Sequence, residues 1–224
     1  MNGKGRHEHK LYINMTDYMQ LSLQLKHIAQ LDKNSFGNND YKVRSLYFDN
    51  YSDKAAMEKL AGLSRREKFR IRLYNDDSSF IRLEKKSKAN RLCYKESTLI
   101  TKEQCDDILN GRFGALRVSK DPLHLELYTK MNYQNLRPKT IVDYTREAYT
   151  YPAGNVRITF DRDIRTSNNV QGLFDSDLVT IPAANAIILE IKYDGFIPEI
   201  IRQVIQIGDR HETEFSKYVV SRLV

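Results

Sequence analysis

Arginine and lysine recur at alternate positions in this chain, with a glutamate set among them. Lys68, Arg70 and Arg72 stand at i, i+2 and i+4, and so do Arg82, Glu84 and Lys86 a few residues later. Glu8-His9-Lys10, Val156-Arg157-Ile158-Thr159-Phe160-Asp161 and Glu190-Ile191-Lys192 repeat the pattern. An Arg fork matches phosphate oxygens bidentately, and Lys supplies a compact charge. Glu8, Glu84, Glu190 and Asp161 offer hard oxygen ligands for Mg2+ or Mn2+, which binds through one or two carboxylates plus substrate phosphates. The plainer use of these carboxylates is cross-strand pairing with Arg and Lys, worth about 0.2–1 kcal/mol each. Gathered in a confined space, the cations repel by roughly 4 kcal/mol per pair at ~4 Å and an effective dielectric of 20. A bound polyanion offsets that repulsion. The set as a whole therefore points to phosphate plus metal.

Alternation with a period of two requires strands, because successive side chains point to opposite faces. Lys68–Tyr74 and Phe80–Lys86 flank the polar run Asn75-Asp76-Asp77-Ser78-Ser79, which reads as a β-hairpin. Phe69, Ile71, Leu73, Ile81 and Leu83 then share the face opposite the cations. One such hairpin is equally well explained by charges in water. Repetition along the chain favours strands closed around a common axis, with a charged lumen and an apolar outside coated by helices. The expected fold is α+β: a closed antiparallel β-barrel with helices packed outside.

Further strands are expected near residues 6–14, Tyr41–Tyr47, Leu92–Thr98, Thr140–Tyr149, Val156–Asp161 and Ala186–Tyr193. Helices are expected after Thr16-Asp17, over Asp53–Leu60 with Gly62 as its stop, and from the capping box Thr101-Lys102-Glu103-Gln104. Three more are expected over Leu123–Met131 behind Asp121-Pro122, over Pro198–Ile207, and over Glu212–Leu223 beyond Gly208-Asp209. Asp32–Asp40 reads as a polar loop and Asp163–Pro182 as a long connection. No repeat or linker divides residues 1–224, so a single domain is expected.

Apolar residues make up 41% of the 224 and charged ones 29%, with 14 Tyr and no Trp, an ordinary globular composition. The net charge of +7 and pI near 9.2 favour anionic partners. No apolar run reaches the ~20 residues of a membrane span, and the first residues carry no secretory pattern, so a cytoplasmic location is expected. Peripheral attachment to a membrane-protein partner would leave no trace in such a sequence. Cys93 and Cys105 fit neither a disulfide framework nor a zinc motif, and His7 with His9 lacks a third ligand. The nucleotide-binding glycine motifs and the serine-nucleophile motif are absent. Stacking aromatics interleaved with the basic residues are not evident, which disfavours nucleic acid.

Glu8-His9-Lys10, Val43-Arg44-Ser45-Leu46-Tyr47-Phe48-Asp49-Asn50, Arg70-Ile71-Arg72, Leu83-Glu84-Lys85-Lys86, Tyr144-Thr145-Arg146-Glu147-Ala148-Tyr149, Val156-Arg157-Ile158-Thr159, Leu189-Glu190-Ile191-Lys192 and Phe215-Ser216-Lys217-Tyr218 follow one another in this order. The ordered set, from about Arg6 to Val219, resembles the VTC domain, the polyphosphate polymerase domain of the vacuolar transporter chaperone complex. It is most similar to the stand-alone bacterial form, within the wider CYTH group of triphosphate tunnel metalloenzymes. The resemblance implies a tunnel whose basic residues hold triphosphate or a growing polyphosphate chain. Lys10, Arg44, Arg70, Arg72, Lys86, Lys95, Arg146, Arg157, Lys192, Ser216 and Lys217 would bind phosphate, with Arg70, Arg72, Arg157 and Glu190 catalytic. Glu190 would be the metal carboxylate for Mn2+ or Mg2+, with Glu8 a second. The implied activity is transfer of the ATP γ-phosphoryl onto polyphosphate. A triphosphatase of the same fold and a non-catalytic polyphosphate-binding module are the alternatives. Arg6 stands where many tunnel enzymes carry their first acidic residue, which suits the polymerase branch better than the triphosphatase or cyclase branches. Arg146 shares parity with Val142 and Tyr144, so it is expected to need a strand end or a bulge to face the lumen.

Overall fold

The computed structural model describes residues 6–32, 40–89, 92–206 and 212–224. In chain order it places β1 (His7–Ile13), α1 (Met15–Ile28), β2 (Gln30–Leu31), β3 (Asp40–Asp49) and α2 (Lys54–Leu60). β4 (Arg66–Tyr74), β5 (Asp77–Ala89), β6 (Leu92–Leu99), α3 (Lys102–Leu109) and α4 (Pro122–Tyr133) follow. The remainder is β7 (Arg137–Tyr151), β8 (Val156–Ser167), β9 (Ile181–Ala184), β10 (Ile187–Tyr193), α5 (Glu199–Ile205) and α6 (Lys217–Ser221).

Local chemistry explains most of these boundaries. Asn75 and Asp76 both sit at positive φ, 51° and 56°, in a two-residue turn that matches the twist of the flanking strands. The turn is thus shorter than the polar run, since Asp77 already pairs with Tyr74. Thr101 and Gln104 form the capping box of α3 as expected, and Asp121 caps α4 with Pro122 in its first turn. Gly62 ends α2 at φ 67°: its N–H bonds the Lys59 carbonyl, and the Leu63 N–H bonds that of Glu58. α1 starts before Thr16-Asp17, because Asn14 is the cap and Asp17 closes its box.

The strands form one antiparallel path in the order β1-β10-β8-β7-β3-β4-β5-β6, with β2 added on β7 and β9 on β8. The sheet curls, but the expected closed barrel is not reached. Among the described residues its two edges, β1 and β6, meet through a single bridge, the Arg6 N–H to the Cys93 carbonyl at 3.4 Å. The chain's C-terminal segment occupies the edge that closure needs. Leu11 bridges to Glu212, and the Thr213 N–H donates to the Lys10 carbonyl at 2.7 Å. For the same reason Glu212–Ser216 is extended, and the last helix shrinks from Glu212–Leu223 to Lys217–Ser221. Gly208-Asp209 and most of the Asp32–Asp40 loop lie outside the described residues. The expected connection after Asp163 is strand for several residues more, since β8 runs to Ser167 and pairs with β9.

Two apolar layers cover the outside of the curl. Phe69, Ile71, Leu73, Ile81 and Leu83 pack against Cys105 and Ile108 of α3 and Leu123, Leu127 and Met131 of α4. Leu21 and Leu25 of α1 and Ile201 of α5 cover Ile158, Phe160, Leu189 and Ile191. Each fully buried aliphatic side chain contributes about 1.5–3 kcal/mol. These layers fix which strand face looks inward.

Candidate functional site

The inward face carries the alternating cations. Across β4 and β5, Lys68 lies opposite Lys86 and Arg70 opposite Glu84. Across β1 and β10, Lys10 lies opposite Glu190 and Glu8 opposite Lys192. β8 adds Arg157 opposite Lys192. Glu84 is buried behind the wall, and the others, together with Arg72, Lys95, Arg146, Ser216 and Lys217, line one cavity of about 390 Å3. Lys68, Arg6, Tyr47 and Tyr144 share its wall.

Arg44 does not join them. It projects to the opposite face of β3, where its guanidinium forks onto Asp143 at 2.8–3.1 Å and donates to the carbonyl of Leu173. Being fully buried there, it is a structural ion pair rather than a lumen group. The motif Val43-Arg44-Ser45 places Ser45, not Arg44, on the lumen side, where Ser45 Oγ accepts from Arg72 Nε at 3.1 Å. Arg44→Leu should cost about 3 kcal/mol of stability, since Asp143 is left buried with only Lys42 at 3.7 Å, without altering polyanion affinity. Denaturant unfolding and a binding titration on the same variant check both halves.

Arg146 reaches the lumen without a bulge beside it in its own strand, whose one register shift against β3 lies between Pro138 and Thr140. The irregularity falls in β8, around Asp163 at φ 49°, opposite Asp143–Thr145 of β7. Val142 and Tyr144 are themselves inward-facing: they pack with Val43, Ile188 and with Tyr218 and Val219 of α6 in an apolar cluster beside the charged cavity. Shared parity with Tyr144 is therefore the inward parity.

Carboxylates organise the cations. Glu84, fully buried, accepts from Arg70 at 2.7 Å and pairs with Lys95 at 2.5 Å. Asp161, also fully buried, takes a bidentate fork from Arg146 at 2.6 and 2.7 Å and the Lys217 ammonium at 2.5 Å. Both serve the plainer pairing role rather than facing a ligand. Burial opposes their charge, yet the adjoining cations hold both carboxyls well below the usual range. Arg157 is steadied by Asp32 at 2.8 Å and by the Tyr41 hydroxyl at 3.0 Å. Arg72 depends mainly on neutral partners, Ser45 and the Tyr144 hydroxyl at 2.8 Å, with Glu84 at 3.9 Å.

Glu8 and Glu190 form a separate pair. Lys192 contacts Glu190 at 2.5 Å and Lys10 contacts Glu8 at 2.9 Å. Burial and mutual repulsion push the Glu8 carboxyl up, but Lys86, Lys192 and Lys10 bring it below its ordinary value. Glu190 is held further down against burial, by Lys192 and Lys10. Two ionised carboxylates facing the cavity suit a divalent ion that completes its shell with phosphate oxygens. Among the described residues no group of three or more His, Cys, Asp or Glu makes an all-protein cage.

Two functional-looking groups lie outside the expected set of site residues. Lys68 is driven down to about 7 by burial and by Lys86, Lys10 and Arg70, although Tyr47 opposes this. Burial should raise Tyr47, but Arg70, Lys68 and Arg72 outweigh it and draw the phenol down to about 7. Parity alone reveals Lys68; nothing in the sequence marks Tyr47 as its neighbour.

No helix among the described residues is long and apolar enough to cross a membrane. No curated protein matches the chain. Solved structures similar in fold include HpAC1 from Hippeastrum, an adenylyl cyclase candidate reported to have a dominant triphosphatase activity. It is 14% identical, with 97% of this chain and 95% of that one aligned at a TM-score of 0.55. The PH1012 protein of Pyrococcus horikoshii is 13% identical, with 95% and 96% aligned at a TM-score of 0.51. At such identities these likenesses speak for the fold. The family profile for the VTC domain matches residues 5–224, nearly the whole length, and the chain belongs to the VTC domain family.

Proposed function

We propose that this chain, acting as a single domain, is a metal-dependent phosphotransferase that moves the γ-phosphoryl of ATP onto the end of a polyphosphate chain and releases ADP. The observation that carries this reading is the inward convergence of Lys10, Lys86, Arg70, Arg72, Arg146, Arg157, Lys192 and Lys217 on one cavity that also presents Glu8 and Glu190. Arg70, Arg72 and Arg157 form a clamp that holds the transferred group in line between donor and acceptor oxygens. The terminal phosphate oxygen of the acceptor attacks directly; the bond to the bridging oxygen of ADP breaks and ADP carries the charge away. No protein nucleophile is needed, and the protein contributes positioning and charge stabilisation. Mn2+ or Mg2+, when bound, neutralises charge on the phosphate oxygens, and Glu190 with Glu8 would hold it. Ser216 adds a hydroxyl at the cavity wall.

A triphosphatase is the second reading, favoured by the fold shared with HpAC1. It would pass the same phosphoryl group to water. Incubation of the protein with ATP and Mn2+, followed by a polyphosphate-stained gel, separates the readings. A product ladder that disappears in Arg70→Ala is expected. Free phosphate without a ladder points to the triphosphatase, and tight polyphosphate binding with neither product to a carrier. Attachment to a membrane protein at the cytoplasmic face would leave this chemistry unchanged.

A further inference from the structure

The cationic ladder of the lumen continues outward by one more rung. On β4, Arg66 has the same parity as Lys68, Arg70 and Arg72; on β5, Lys88 has the same parity as Lys86; and Arg66 and Lys88 lie directly opposite each other. Lys59, near the end of α2, approaches the same point from a different element. These three line a second cavity of about 440 Å3. It adjoins the lumen, sharing Glu8, Lys10, Lys68 and Lys86 with it.

Their only close anionic partner among the described contacts is Glu214. Its carboxylate pairs with Lys59, and it stands 3.4 Å from both the Arg66 guanidinium and the Lys88 ammonium. Glu214 is 71% exposed, whereas the three cations are 14–26% exposed. One exposed carboxylate thus faces three partly buried positive groups, and exposed pairs of this kind hold weakly. Burial, together with Arg66, Lys10 and Lys88, pushes the Lys59 ammonium down to about 8, the sign of a local excess of positive charge. The other acids of this cavity are engaged elsewhere: Glu67 with Lys130 and Lys85, Glu212 with His9, and Glu8 with Lys10. Glu214 itself rides on the segment that Thr213 ties to Lys10, so its backbone is anchored while its carboxylate reaches the three cations from the solvent side.

We propose that Lys59, Arg66 and Lys88 form a rim subsite for a further phosphate unit of a polyphosphate chain, and that the Glu214 carboxylate stands in that subsite until a chain long enough to reach it takes its place. This rests on the lumen reading above and extends it to chain length. A triphosphate held among the lumen cations ends before the rim. A long chain continues along the β4–β5 ladder and meets the rim groups, exchanging one carboxylate contact for phosphate oxygens that accept from all three. The subsite therefore discriminates by length, not by the chemistry of the reacting end.

The test compares tripolyphosphate with long-chain polyphosphate in calorimetric titrations without ATP, so that turnover plays no part. The Arg66→Gln/Lys88→Gln double variant should lose roughly tenfold or more in affinity for the long chain. Its affinity for tripolyphosphate should stay within about twofold. Glu214→Gln, which removes the competing charge and no cation, should tighten the long chain alone and serves as the variant least able to disturb folding. Equal losses for both ligands, or no change for either, would overturn the rim subsite while leaving the lumen reading intact. Failure of the unaltered protein to bind either ligand overturns the lumen reading and the subsite with it.

Discussion

Glu190→Gln should lower ATP-dependent chain elongation by roughly 10²–10³-fold, the scale on which a single preorganised charge at a reacting centre matters. Polyphosphate binding should survive. Glutamine keeps the shape of the side chain, while the negative charge beside Lys192, Lys10 and Arg146 is removed. The contrast is diagnostic, because loss of an Arg from the clamp lowers binding and turnover together. A second readout does not depend on turnover: Mn2+ affinity in the presence of tripolyphosphate, followed by the resonance spectrum of the ion, should fall in the variant. If Glu190→Gln elongates chains at the normal rate, Glu190 has no metal role. The variant should also shift Lys192 further down, since Glu190 heads the influences that support its charge.

Polyphosphate affinity should fall steeply as pH rises from about 7 to about 9. Burial, with Lys86 and Arg146, leaves the Lys192 ammonium near 8 despite Glu190 and Glu8, and Lys68 lies near 7. The bound anion favours the charged ammonium, so binding raises both values and takes up protons wherever the free lysines are neutral. Affinity is therefore full below the free-state values and declines above them, at a limit of roughly tenfold per pH unit for each lysine. Loss of the Tyr47 proton near 7 adds negative charge beside Arg70 and acts in the same direction. A long chain is the right ligand, because its internal phosphates do not titrate here. Lys192→Arg should flatten the upper part of the profile and Lys68→Arg the lower, as guanidinium stays charged throughout. A profile independent of pH in the unaltered protein would show that neither lysine contacts the chain.

Periodicity made the inward and outward faces of β4 and β5 legible, because one residue of error in parity would have put Phe69 and Ile71 among the cations. Capping signals were equally direct at Thr101 and Asp121. Three things were hidden. Arg44 lies in a motif whose neighbours face inward, and only the fork onto Asp143, a partner a hundred residues away in sequence, shows that it faces out. The bulge at Asp163 reverses parity within β8, so Ile164 and Thr159 cannot be related by counting. The open seam follows from Glu212 and Thr213 bonding to β1, a competition between two segments for one edge. Long-range pairing decided each of these, and local patterns carry no record of it. Glu84 and Asp161 show the same limit at the site: the sequence offered them as ligands or ion-pair partners, and their burial with Arg70 and Arg146 selects the second.

The strand order also has a kinetic meaning. β3, β4, β5 and β6 follow one another as neighbours, so that half of the lumen can assemble from nearby segments as soon as they leave the ribosome. β1 must wait for β10, which emerges near the end of synthesis, before Lys10 can meet Glu190 and Glu8 can meet Lys192. Pairings between such distant segments carry the loop-closure cost before any contact repays it, and they are slow. During that interval the first strand is an unpaired edge, and the charges of Glu8 and Lys10 guard it against self-association. The carboxylate pair therefore comes together after the β3–β6 half, so Arg70 and Arg72 are in place before Glu8 and Glu190 meet.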